Sequence, residues 1–174
     1  MKKYRKVDCG SMIILGIDPG LAIVGYGVID YTASRFKVLD FGAIKTPAGK
    51  KTEDRLCAIH RGMEQLIGRY HPEEMAIEEL FFTKNVTTGI AVAEARGVIL
   101  LSAREKGLQI GEYTPMQVKQ AVVGYGGAEK KQVIMMVRSI LNVGEELKLD
   151  DTADALAVAI CHAHTGAWAR NLPR

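Results

Sequence analysis

Two acidic side chains stand at or near the ends of predicted strands, and two more open the last predicted helix. Asp18 closes the apolar segment "MIILGID", directly before Pro-Gly, and Glu78 lies in "AIEEL". Asp151 and Asp154 are three residues apart in "LDDTADALAVAICHAH", so they share one helix face. Open α/β sheets gather their chemistry at the carboxyl ends of strands. We therefore expect these four carboxylates to meet at one site.

Four carboxylates at one point need positive charge. Carboxylates that repel one another are costly to bury without a cation or a hydrogen-bond donor. Oxygen ligands alone suit Mg²⁺ or Mn²⁺. Two such ions about 4 Å apart can activate a water molecule and stabilise the leaving oxygen of a phosphodiester. The spacing of the acids thus points to metal-dependent phosphodiester hydrolysis.

Each acid also has an ordinary explanation. Asp18 precedes Pro-Gly, a sequence that starts turns well. Glu78 or Glu79 could be surface charge. Acids in the first turn of a helix, such as Asp150 and its neighbours, are favoured by the helix dipole. Each explanation is adequate alone, but a shared site accounts for all of the acids together.

The elements that must position these residues are three consecutive strands, two further strands that each follow a helix, and a final run of helices. Apolar segments bounded by turn residues predict strands over 13–18, 25–30, 36–45, 73–80 and 108–113. Apolar spacing predicts helices over 52–70, 87–106, 128–141 and 151–168, with one more beginning after Thr114. Thr52 and Thr114 are the predicted N-caps, and Pro115 fits the first helical position. This order predicts an α/β fold, a mixed five-stranded sheet whose first three strands are antiparallel, flanked by helices.

Length and composition fit one globular domain. The 174 residues are 48% hydrophobic and 25% charged, and the net charge of +3 permits nucleic-acid binding without requiring it. No apolar segment is long enough to predict a membrane span. Three cysteines without paired spacing argue against disulfides or zinc and fit a reducing cytoplasm. We expect one domain over 12–168, a disordered leader or extension over 1–11 and a tail over 169–174.

Five ordered blocks resemble the RuvC family of bacterial Holliday-junction resolvases. They are "ILGIDPG…GYGVI", "AIEELFFTKN", "ARGV", "QVKQAVVGYGGAEKKQV" and "DDTADALAVAICHAH", and together they span 12–164. The resemblance implies a ribonuclease-H-like fold. It also implies a homodimer that makes paired symmetric nicks in four-way junction DNA and leaves ligatable ends. The implied cofactor is Mg²⁺, with Mn²⁺ as an alternative and two ions per site, and the implied partner is the RuvA–RuvB branch-migration complex.

The resemblance also implies roles for particular residues. The family's catalytic, metal-binding acids fall on Asp18, Glu78, Asp151 and Asp154, and some members have His at the position of Asp151. The family's C-terminal tail is longer than the one here.

The DNA-binding residues implied are Phe81, at the junction crossover, and the phosphate-contacting Lys119 and Lys130. An aromatic ring beside a metal site can stack on an unpaired base, and a lysine can neutralise the phosphate backbone. Their ordinary alternatives are core packing for Phe81 and solvation for the lysines. For Phe82, DNA contact and core packing are both left open. Three weaker phosphate candidates are Lys84, Asn85 and Arg96.

Two histidines near the end of the chain are not assigned to the site. His162 and His164 lie two residues apart, on different faces of the last predicted helix. They are too far from Asp154 to be expected as metal ligands. We interpret them as structural or surface residues.

Three other functions compete with this one. Actin-like or sugar-kinase-like ATPases also begin with a "GIDxG" strand, but they need two related domains, and this chain has the length of one. A ribonuclease-H-like nuclease that processes RNA would keep the acids and change the substrate. A non-catalytic DNA-binding module would be hindered by acids that repel phosphate.

Paired nicks require two active sites, so we expect a dimer. The predicted helix over 87–106 contains "TTGIAVAEARGVILLSA", whose small residues suit close helix packing. We expect this helix to form much of the dimer interface.

Overall fold

A computed structural model describes residues 11–80, 86–144, 147 and 150–170, and the side chains of 86–88 and 167–170 lie outside that description. The strands are β1 (Met12–Asp18), β2 (Ile23–Thr32), β3 (Arg35–Lys45), β4 (Glu74–Glu78) and β5 (Gln109–Tyr113). The helices are α1 (Thr52–Tyr70), α2 (Val86–Glu105), α3 (Pro115–Val123), α4 (Lys130–Leu141) and α5 (Asp150–Arg170).

The strands form one mixed sheet in the order β3-β2-β1-β4-β5. β1 pairs antiparallel with β2, and β2 with β3, because short connections join them. β4 and β5 are each reached through a helix and therefore extend the sheet in parallel. The predicted α/β class, a mixed five-stranded sheet whose first three strands are antiparallel, is confirmed.

The two faces of the sheet are covered by different helices. Side chains alternate along β1, so Ile14 packs into a cluster that includes residues of α3, α4 and α5. Leu15 and Ile17 pack into a second cluster with residues of α1 and α2. Because α5 is enclosed on most sides, it is apolar almost all round from Ala155 to Cys161. Among the described residues, no helix combines the length and apolar character needed to cross a bilayer.

Several predicted boundaries were wrong by a few residues. The N-cap of α1 is Lys51, which has extended backbone angles, and Thr52 is the first helical residue. Thr114 does cap α3, because its side chain accepts a hydrogen bond from the Gln117 N–H. The last helix, predicted over 151–168, continues to Arg170.

The strand over 73–80 is shorter than predicted and covers Glu74–Glu78. The helix predicted over 128–141 begins at Lys130, after Glu129 as its N-cap. Both differences arise where polar side chains surround the end of an apolar segment, so that apolar periodicity marks the core of the element better than its ends.

Candidate active site

Helix α5 lies directly against the sheet because the strands beneath it carry glycines. A Cβ atom at Gly16 would collide with the carbonyl oxygen of Ala155, and one at Gly25 with that of Asp151. At Gly27 it would run into the Leu156 side chain. These three positions leave room for the helix backbone itself. The first turn of α5 is therefore held beside the carboxyl end of β1.

Asp18 and Glu78 end two adjacent parallel strands. Ile17 pairs with Ile77 in the β1–β4 register, so each acid stands one residue beyond the same rung of the ladder. The pKa of the Asp18 carboxyl is raised to about 8, first by burial and then by the nearby negative charges of three other acids, Asp154, Glu78 and Asp151. The four predicted acids therefore share one electrostatic environment.

Glu78 and Asp154 respond to the same environment. Burial raises the pKa of Glu78, and Asp154 adds to that effect, whereas Lys130 and Lys119 oppose it. Burial also raises the pKa of Asp154 against the opposing effect of its hydrogen bond with Lys130. The site thus carries more negative charge than its own cations balance.

Lys130 is the cation in direct contact with the acids. Its Nζ atom donates to Asp154 Oδ2 at 3.0 Å and lies 3.5 Å from Asp150 Oδ2. Burial disfavours the charged ammonium, but the interactions with Asp154 and Asp150 outweigh it, so the pKa of Lys130 is raised. Asp150 was not among the predicted site residues, and its pairing with Lys130 depends on the packing of α4 beside α5.

An open cavity of about 220 Å³ lies in front of these groups. Glu78, Lys119, Lys130 and Asp154 supply its polar lining, and Pro115, Val118, Val133 and Ala157 supply the apolar part. The structure therefore brings the two predicted phosphate-binding lysines to the same cavity as two of the acids, Glu78 and Asp154. Such a cavity can take a phosphate group between cationic and anionic walls.

The acids are gathered but not yet arranged as a chelate. Among the described residues, no three His, Cys, Asp or Glu side chains are placed to hold one metal ion. Asp154 is bound to Lys130 instead, and the remaining carboxylates repel one another. The donor set nevertheless suits a hard divalent cation, because it offers only oxygen atoms and its crowded negative charge is unbalanced.

The remaining predicted DNA-binding residues have different outcomes. Phe81, Lys84 and Asn85 lie outside the described residues, as does Phe82. Arg96 forms an ion pair with Glu112 and donates to the Glu78 carbonyl oxygen at 3.4 Å. In this position the guanidinium supports the end of β4, so the structure does not favour Arg96 as a free phosphate ligand.

The two histidines of α5 are structural or exposed, as predicted. His162 is buried, with Nε2 2.5 Å from Glu74 Oε2 and Nδ1 2.8 Å from the Tyr113 hydroxyl. His164 is exposed and meets the ring of Phe36 edge-on. Both residues lie away from the carboxylate cluster, towards the start of β4.

Comparison with known proteins identifies the family. The model of the family described as crossover junction endodeoxyribonuclease RuvC matches residues 14–162. The crossover junction endodeoxyribonuclease RuvC of Alkaliphilus oremlandii is 59% identical over 155 residues, which cover 89% of this chain and 94% of the relative.

Two solved structures of Thermus thermophilus RuvC are also similar. The first has a TM-score of 0.84 at 36% identity and covers 91% of this chain and 97% of its own. The second, in complex with a Holliday junction substrate, has a TM-score of 0.86 at 36% identity and covers 91% and 96%. The family match spans the strands, the glycine positions and the carboxylate cluster. This chain belongs to the RuvC family of crossover junction endodeoxyribonucleases.

Proposed function

We propose that this protein is an endonuclease that resolves four-way Holliday junctions by paired symmetric nicks, in homologous recombination and DNA repair. The observation that carries the proposal is the carboxylate cluster itself. Asp18, Glu78 and Asp154 all have raised pKa values beside Lys130 and a phosphate-sized cavity. The Thermus thermophilus relative was solved with a Holliday junction, which supports a junction as the substrate.

The acids have the role of metal ligands in this proposal. Asp18, Glu78, Asp151 and Asp154 would hold two Mg²⁺ ions, with Mn²⁺ as the alternative. When bound, the ions activate a water molecule and stabilise the leaving oxygen of the phosphodiester. The carboxylates must lose their protons to bind a cation, so their raised pKa values make the proposed cation binding stronger as the pH rises.

The lysines position the phosphate. The Lys130 ammonium must leave Asp154 for that carboxylate to serve as a ligand, and a bound phosphate offers it a new anionic partner. Lys119 also lines the cavity, where its charge opposes the rise in the pKa of Glu78. Both lysines then oppose the negative charge that develops on the phosphate during hydrolysis. Phe81, Lys84 and Asn85 stay proposed DNA contacts.

A homodimer is the proposed assembly, with α2 at its interface. Ile90 and Leu101 are 53% and 57% exposed, an unusual exposure for large apolar side chains. They lie eleven residues apart, three helical turns, so they share a stripe with Gly97 between them. Apart from the backbone of α2 itself, no atom of the described residues lies within 4 Å of a Cβ added at Gly97, which leaves room for a second helix. RuvA–RuvB stays the proposed partner complex, and the cytoplasm the proposed location.

Nicking of a labelled synthetic four-way junction with Mg²⁺ tests the function. Wild-type protein and Asp18→Asn are compared on the junction, on linear duplex and on an RNA–DNA hybrid. Symmetric nicks in the junction alone, lost in the variant while binding persists, support the proposal. Cleavage of the hybrid in place of the junction would replace it with an RNA-directed nuclease.

A further inference from the structure

Strand β3 forms one edge of the sheet. Over Arg35–Lys45 its strand partner in the described sheet is β2, and its other side carries no strand. An edge of this length is a template for a further strand. Two grooves flank this edge, one on each face of the sheet, and their chemistry differs.

The first groove lies between β3 and α1 and carries positive charge. It is a cleft of about 490 Å³, with Arg61, Gln65 and Arg69 along the α1 side. Within the described part of the chain, Arg61 forms no hydrogen bond or ion pair, and Arg69 stacks over the ring of Tyr70 at 5.2 Å. The cleft therefore offers two guanidinium groups that no carboxylate of the described chain neutralises.

The acid in this cleft is already satisfied. Asp40 accepts hydrogen bonds from the Tyr70 hydroxyl at 2.5 Å, the Tyr26 hydroxyl at 3.3 Å and the Phe41 N–H at 2.9 Å. Three donors occupy its carboxylate, so it does not compete for the arginines.

The second groove lies on the opposite face, between β3 and the end of α4. It measures about 530 Å³. Apolar side chains form its floor, and Lys37, Asp40 and Asn142 also line it; the apolar residues are Phe36, Val38, Phe41, Leu141 and Val143. Side chains of a strand alternate between faces. A strand added at this edge would therefore direct one set of side chains to the arginines and the other set to the apolar floor.

We propose that the β3 edge binds an extended segment of a partner protein that carries acidic side chains on one face and apolar side chains on the other. Arg61 and Arg69 are eight residues apart, or about 12 Å along the helix. Two residues on the same face of a strand and four positions apart are about 13 Å apart. The fitting segment thus has acids at positions i and i+4, on the face towards the arginines. Its residues at i+1 and i+3, on the other face, are apolar.

Charge argues against the other occupants. In an antiparallel pair of two β3 edges centred on Asp40, Arg35 would stand opposite Lys45. The first residues of this chain, "MKKYRK", are basic and would meet the arginines with like charge. DNA would leave both the strand edge and the apolar groove unused.

A synthetic peptide tests the side-chain part of this proposal. The probe is a fluorescein-labelled nine-residue peptide with glutamate at its third and seventh positions, threonine at the other odd positions and valine at the even ones. We expect binding to the full chain with a Kd in the micromolar range, measured by fluorescence anisotropy. The double variant Arg61→Glu, Arg69→Glu should weaken it at least about tenfold, and lysines in place of the peptide glutamates should restore it. Lys50→Glu, at an exposed lysine of the loop between β3 and α1 that lines neither groove, is the matched control and should change nothing.

Backbone methylation tests the strand pairing. Alternate amides of a strand point to opposite sides, so one peptide carries N-methyl groups at its odd residues and a second at its even residues. Strand addition requires that one of them binds and the other does not. Equal binding of both, or no binding of the unmodified peptide, would overturn the proposal.

Two further outcomes would assign the surface to another occupant. Loss of junction-DNA binding in the arginine variant, with peptide binding unchanged, would make the cleft a nucleic-acid contact. Concentration-dependent dimerisation abolished by the same variant would make it a contact between copies. Symmetric junction nicking by the variant confirms that it is folded.

Discussion

The two ends of β4 meet helix α5 with opposite electrostatics. At the carboxyl end, Glu78 faces Asp154 and a crowd of further acids, and burial and repulsion raise the pKa values there. At the other end, Glu74 meets His162, which also contacts the Tyr113 hydroxyl. In that second cluster an acid, an imidazole and a phenol satisfy one another. The first cluster keeps its excess negative charge until a cation binds, which is why we assign chemistry to it and stability to the other.

Removing the central acid should produce the largest effect. We expect Asp18→Asn to lower the rate of junction nicking by about 10³-fold or more, because a ligand to the proposed cations is lost. Junction binding should persist, since one negative charge is removed beside the phosphate. Single-turnover nicking and gel-shift titration measure the two quantities separately. Equal losses of binding and nicking would show that Asp18 supports the fold instead of the reaction.

Removing the imidazole that contacts Glu74, at the amino end of β4, should destabilise the fold. His162→Ala leaves Glu74 and Tyr113 without the imidazole in a buried setting, at a cost of about 2–4 kcal/mol in the free energy of unfolding. Urea unfolding monitored by circular dichroism measures it. His164→Ala, at an exposed position, is the control and should change stability by less than about 0.5 kcal/mol. A stable His162→Ala protein that has lost only nicking would reverse the roles assigned to the two clusters.

Much of the fold, and the acids of the candidate site, could be predicted from the sequence. Apolar segments and turn residues predicted five strands, their antiparallel start and the acids at the ends of β1 and β4, because these features are local. The glycines at 16, 25 and 27 were visible as residues, but their use as a seat for α5 depends on which strand face meets which helix. Nothing in the local pattern revealed that geometry.

Pairings between distant residues were likewise out of reach. Lys130 with Asp150, and Arg96 with Glu112, join elements whose relative placement is set by packing. Arg96 was predicted as a weak phosphate ligand because the sequence gives the charge of an arginine but not the carboxylate with which it pairs in the fold. The predictions for Phe81, Lys84 and Asn85 fall outside the described residues and stay predictions.

The raised pKa of Asp18 predicts a pH-dependent stability. Its carboxyl ionises near pH 8 in the folded chain and near 3.8 in the unfolded chain, so the folded state binds the extra proton between these values. The contribution of this group to stability is complete below about pH 4 and is lost as the pH rises through about 8. In EDTA at pH 9, Asp18→Asn should therefore be more stable than wild type by about 1–3 kcal/mol.

Thermal unfolding from pH 4 to 9 checks this expectation. The difference between the variant and wild type should shrink towards pH 4, and excess Mg²⁺ at pH 9 should reverse it by stabilising only the chain that keeps the ligand. A difference that does not vary with pH would mean that Asp18 is ionised throughout in the folded protein.

The smallest expected effect distinguishes the role of Lys119 from that of Lys130, the two lysines that line the active-site cavity. Lys130 is bound to Asp154, whereas Lys119 acts on Glu78 only through its charge and is the freer of the two to meet DNA. Lys119→Gln should weaken junction binding severalfold and reduce the slope of log K against log salt by about one phosphate contact. Binding isotherms over a range of salt concentrations measure that slope, with Lys106→Gln as the control because Lys106 lies beyond the far end of α2 and pairs with Glu64. In the variant the pKa of Glu78 should rise further, because an opposing positive charge has gone. An unchanged slope combined with slower nicking would place Lys119 at the reacting phosphate alone.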